Sequence, residues 1–141
     1  MSGAGRRVAE LQEKYPGALV LAVTRTPELR AALSPTMAEY RRVPAHPVVV
    51  AERGSGVAFW RGGRRPRQLF VVPWARIAAI ETGERRAAYG VKVPVVELHL
   101  TDAPDAVIPF APASRGLSSP TPEQVAALAT ALQAIADPHG R

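Results

Sequence analysis

Val48-Val49-Val50-Ala51-Glu52-Arg53-Gly54-Ser55-Gly56-Val57-Ala58-Phe59-Trp60 is the stretch on which the reading of the fold turns. Two runs of β-branched and aromatic residues flank a glycine-rich break, and glycines supply the backbone freedom of a tight turn. The pattern predicts a β-hairpin, with Val48 to Glu52 as one arm and Val57 to Trp60 as the other.

Downstream the same texture continues. A second turn, Arg61-Gly62-Gly63-Arg64-Arg65-Pro66-Arg67, leads into a strand over Gln68 to Val72. Pro73 has no N–H for a ladder, so Pro73-Trp74 marks a strand end, a bulge or an edge. Arg76 to Glu81 resumes as strand and is closed by Thr82-Gly83, leaving 83–90 as a basic loop. Val91 to Thr101 alternates, with Val96, Leu98 and Leu100 on one face and Val95, Glu97 and His99 on the other. After the turn 102–105, Ala106 to Phe110 forms the last strand, and 111–120 is a loop rich in proline, serine and glycine.

The clearest helix closes the chain. Thr121, Pro122 and Gln124 read as a cap, a first helical position and the far member of a capping box. Val125, Leu128, Ala129, Leu132 and Ile135 make a stripe for packing on a sheet, and Asp137-Pro138 ends it.

Upstream of Val48 the reading is a helix over Arg6 to Tyr15 stopped by Pro16-Gly17, a strand over Ala18 to Thr24, and a helical segment started by Thr26-Pro27-Glu28 with Leu29 and Leu33 inward. Ser34-Pro35 breaks that segment, and a proline linker around His46 follows. The expected fold is mainly β (α+β): a bent antiparallel sheet or partly open barrel capped by a C-terminal helix. Residues 1–46 form a helix–strand–helix extension that packs against the sheet or adds an edge strand, and residues 47–141 form the barrel and helix, one compact domain overall. The expected core comprises Val49, Val57, Phe70, Val72, Val96, Leu98, Phe110, Leu128 and Leu132.

The 141 residues suit one domain at about 100–200 residues each. With no cysteine, disulfide scaffolds and thiolate zinc sites are excluded. The longest uninterrupted apolar run, Ala18 to Val23, is far short of the ~18 residues of a membrane span, and the amphipathic stretch Val8 to Lys14 after Arg6-Arg7 does not read as the apolar region of a leader peptide. The expected setting is cytoplasmic, with a peripheral place at the inner face of a membrane as the variant, or the chain is the soluble part of something larger.

The formal charge of +6 arises from 18 Lys+Arg against 12 Asp+Glu, and Lys14 and Lys92 are the only lysines. A positive surface attracts polyanions, although arginine is also an ordinary solvated surface residue. Arg61, Arg64, Arg65 and Arg67 crowd one turn, Arg53 lies in the preceding one, and no carboxylate occurs between Arg53 and Arg76. Clustered guanidiniums hold phosphate bidentately, which makes these five arginines the candidate anion-binding residues. The alternative for them is a solubilising turn. Of Phe59 and Trp60, one points inward and the other is a covering side chain on the outer face.

Catalytic signatures are lacking. Gly54-Ser55-Gly56 joins two strands, which removes the dinucleotide and nucleophile-elbow readings. His46, His99 and His139 lie far apart, no metal site or cofactor is expected, and His99 reads as a solvated or interface histidine. Glu97 and Asp102 read as solvated carboxylates. Convergence of Glu97, His99 and a further carboxylate in a cleft would be the sign of an enzyme.

The hairpin Val48 to Trp60, the basic turn, the run Leu69-Phe70-Val71-Val72-Pro73-Trp74-Ala75-Arg76-Ile77, the strand Val95 to Leu100, Val107-Ile108-Pro109-Phe110 and the terminal helix together resemble bacterial pleckstrin-homology-like domains, over about residues 47–137. That resemblance implies a bent antiparallel barrel plugged by the last helix, and a non-enzymatic binding or adaptor module for a protein partner or an anionic membrane surface. The alternative function is nucleic-acid binding through the same turns with Arg41-Arg42 and Arg85-Arg86.

Overall fold

The computed structural model describes residues 3–24, 29, 47–61, 67–86, 90–101, 106–113 and 120–136, with side chains from residue 8 onward. Expectations for Thr26-Pro27-Glu28, Leu33, His46, Arg41-Arg42, Arg64, Arg65, Asp102 and His139 lie outside these residues. The chain runs α1 (Gly3–Lys14), β1 (Leu19–Thr24), β2 (Val48–Glu52), β3 (Gly56–Arg61), β4 (Arg67–Pro73), a 3₁₀ turn (Trp74–Arg76), β5 (Ile77–Arg86), β6 (Lys92–Leu100), β7 (Val107–Pro112) and α2 (Pro122–Ala136).

Among the described residues seven strands join one antiparallel sheet in the order β4-β3-β2-β1-β7-β6-β5, curled into a half-barrel. The predicted hairpin is present: Val48 pairs with Trp60 and Glu52 with Gly56 across a turn at 53–55. Gly56 is at φ +145°, and a Cβ there would collide with the Val72 carbonyl of β4. The close approach of β3 to β4 therefore depends on glycine at that position.

Two sequence expectations are corrected. The first strand is neither an appendage nor an edge: β1 pairs with β2 from Leu19↔Ala51 to Ala22↔Val48 and with β7 at Val23↔Pro112 and Thr24↔Ala111. It lies in the interior of the sheet, so a boundary at residue 46 separates strands that share one ladder. Gly83 also does not end a strand. β5 continues to Arg86, with Gly83 paired to Val95 and Arg86 to Lys92, because β6 supplies an uninterrupted partner ladder along this length.

Period-two alternation divides β2 and β3 between two hydrophobic clusters. Val49, Ala51, Val57 and Phe59 face the concave side with Val72, Val96, Leu98 and Phe110, and α2 covers them with Val125, Leu128, Ala129 and Leu132. Phe59 meets Phe110 edge to face at 5.6 Å. Every expected core residue is found there, Phe70 only half-buried, and Leu29 joins them. On the convex side Val20, Val48, Val50 and Trp60 are covered by Leu11 of α1, with Val8 and Tyr15 at the margin. Trp60 is thus the outer-face aromatic, covered by a helix, with the Lys14 ammonium 5.3 Å from its ring centroid.

Polar links fix the ends. Thr121 and Gln124 form the predicted capping box: Gln124 N–H donates to Thr121 Oγ1 at 3.1 Å, and Thr121 N–H to Gln124 Oε1 at 2.9 Å. The Trp74 indole N–H donates to the Glu52 carbonyl at 2.7 Å, tying the 3₁₀ turn to the end of β2. Gln133 Nε2 donates to the Ile80 carbonyl at 2.7 Å, so α2 satisfies one acceptor on the edge strand β5.

Candidate functional site

The predicted basic cluster separates into two parts. Arg61 ends β3 and Arg67 begins β4, and the register sets them directly opposite one another, both exposed. Like charges in register repel, and a sheet tolerates them where solvent or a counter-anion takes up the field. Arg53 lies in the turn at the other end of the same hairpin, about 17 Å away at ~3.3 Å per residue. It does not belong with Arg61 and Arg67. Arg86 and Lys92 make a second exposed like-charged pair, at the far end of the β5–β6 ladder.

A second group assembles on the outer face of β5 and β6, where sequence distance concealed it. Register pairs Glu81 with Glu97 and Ala79 with His99, so Glu81, Glu97 and His99 project from the same side of two adjacent strands. His99 Nε2 lies 3.3 Å from Glu81 Oε2 and 3.4 Å from Glu97 Oε1. Arg85 Nη2 donates to the other oxygen of Glu97, Oε2, at 2.7 Å. Glu97 is mostly buried, with 13% of its side chain exposed, whereas Glu81 is open to solvent at 61%.

Gly83 makes room for this arrangement. A Cβ at position 83 would stand 2.7–2.8 Å from the Glu97 carboxylate, which occupies the vacant side-chain position between Arg85 and His99. His99 stands on the outer face beside this carboxylate. Although 29% of its side chain is exposed, its Nε2 has no solvent contact and no hydrogen bond of good geometry.

The convergence of Glu97, His99 and a further carboxylate, named above as the mark of an enzyme, thus occurs, but on an open sheet face. The neighbouring grooves lie along the seam of α2 and β5. One of about 260 Å³ is lined by Thr82, Gly83, Glu84, Pro94, Pro122 and Val125. The other, about 430 Å³, takes in Glu81 with Ile80, Thr82, Ala126, Ala129 and Gln133. Neither contains Glu97 or His99, so among the described residues neither groove presents a substrate to both carboxylates and the imidazole.

Among the described residues Val91 is the one large hydrophobic side chain left exposed, and no helix is long and apolar enough to cross a membrane. Compared with known proteins, the chain matches no family model, no curated protein and no solved structure.

Proposed function

We propose that this chain is a non-enzymatic binding module of the pleckstrin-homology-like kind, and that the β3–β4 end of its sheet engages an anionic membrane surface. The observation that carries this reading is the in-register exposed pair Arg61 and Arg67 flanking a connection that contributes Arg64 and Arg65, with no carboxylate in that stretch. The curled sheet closed by a terminal helix is the architecture that the resemblance implies. The connection between β1 and β2 leaves and re-enters the sheet at the same end and carries Arg25, Arg30, Arg41 and Arg42 against Glu28 and Glu39. Strands β6 and β7, whose connection contains Asp102 and Asp105, are separated from β3 and β4 by β2 and β1. The scarcity of exposed large apolar side chains among the described residues favours a charged surface over an apolar protein interface.

The test is co-sedimentation with neutral and anionic liposomes over a salt series, with duplex DNA alongside. Each arginine near an anionic bilayer contributes about 1 kcal/mol, so Arg61→Ala/Arg67→Ala should lower partitioning roughly 30-fold, and the effect should shrink as salt rises. Equal binding to DNA would point to the nucleic-acid alternative. Failure to bind anionic liposomes at low salt would overturn the proposal.

A further inference from the structure

The outer face of β5 and β6 carries a group that the basic end leaves unexplained. Glu81 and Glu97 are opposed across a ladder, an arrangement that is destabilising for two carboxylates by themselves, and Arg85 neutralises only one of them. Between them stands an imidazole nitrogen that is closed to solvent and makes no hydrogen bond of good geometry. The separations are informative. An N–H···O bond to a carboxylate closes to about 2.7–2.9 Å, whereas His99 Nε2 lies 3.3 and 3.4 Å from its two carboxylate oxygens. Two ligand atoms on one tetrahedral zinc, each about 2.0–2.2 Å from the metal, are separated by about 3.3–3.6 Å.

We propose that His99, Glu81 and Glu97 form a binding site for a divalent transition-metal cation of the zinc type. His99 supplies Nε2, Glu81 Oε2 and Glu97 Oε1, the three residues offering one ligand atom each within 4.8 Å of one another, and a fourth position is left for water. Arg85 holds Glu97 Oε2 and so directs the opposite oxygen toward the site, the orienting part that an outer-shell partner plays around a metal. Gly83 keeps the Glu97 carboxylate in place by leaving its volume free. A cation here neutralises the opposed carboxylates and ties the edge strand β5 to β6. The site is independent of the arginines of the β3–β4 end, so neither proposal depends on the other.

The experiment is calorimetric titration of the full chain, free of any histidine tag, with zinc chloride in a non-chelating buffer. One saturable equivalent is expected. His99→Gln and Glu97→Gln should each weaken binding by more than the roughly 10–100-fold that loss of an outer-shell partner costs. The double variant His46→Gln/His139→Gln should bind as the parent does. Gly83→Ala removes no ligand but displaces one, and should weaken binding at least about tenfold with the fold intact in EDTA, which keeps the test decisive should His99→Gln fail to fold. Absence of a saturable equivalent, unchanged affinity in both His99→Gln and Gly83→Ala, or loss of binding in the His46/His139 variant would overturn the assignment.

Discussion

The carboxylate of Glu97 occupies the volume that a side chain at position 83 would fill, 2.7–2.8 Å from where the Cβ of that residue would stand. The colliding atoms are the far end of a flexible side chain, so Gly83→Ala can be accommodated by rotation of Glu97. It should change unfolding free energy by no more than about 1 kcal/mol, since replacing a strand glycine offsets part of the loss. What it should abolish is the Arg85–Glu97 pair, visible as a solvent-exposed Arg85 guanidinium in a crystal structure of the variant. An unfolded variant, or one with that pair intact, would contradict this account.

Gly56 presents the opposite case. Its φ of +145° disfavours an L side chain, and the obstacle is backbone, the Val72 carbonyl and the Pro73 Cα. Gly56→Ala should cost at least about 3 kcal/mol, read as a lower denaturant midpoint with the slope unchanged. A loss under about 1 kcal/mol would show that β3 and β4 separate easily.

Trp74→Phe keeps an aromatic ring beside the core but deletes the indole N–H that donates to the Glu52 carbonyl. A loss of about 1–2 kcal/mol is expected by urea denaturation. The Trp74 indole N–H should also be among the slowest side-chain protons to exchange, and rapid exchange would mean that the bond is not maintained in solution.

Thr121 and Gln124 bond reciprocally, so their contributions should be coupled. Thr121→Ala should cost about 1 kcal/mol and Gln124→Ala less, with the double variant less destabilised than the sum of the two. Strict additivity in that cycle would show the box to be open.

Much of the fold is legible in the sequence where a residue type has one local use. The hairpin at Gly54-Ser55-Gly56, the stop at Pro73 and the cap at Thr121 are of this kind. So is the stripe from Val125 to Leu132, whose spacing matches a helix on a sheet. The place of β1 is not legible, because Leu19-Val20-Leu21-Ala22-Val23-Thr24 shows no alternation and identifies neither of its partners. Glu81 and Glu97 are 16 positions apart, and only the register of β5 on β6 makes them neighbours. Gly83 misleads for a related reason: glycine commonly marks turns, but here the lost side chain serves Glu97 on the opposite strand. Arg53 reads as a neighbour of Arg61 in sequence because strand length is not visible as distance.

The interior position of β1 bears on how the protein is made. Strands β2 to β4 and β5 to β7 are two meanders, each pairing neighbours that follow closely in the chain, and β1 alone bridges them. Of the described strands β1 is synthesised first, yet its second partner, β7, follows some ninety residues later. The two halves can pair internally while the seam at Val23↔Pro112 waits for β7, and that late closure of a large loop is the step that should set the folding rate.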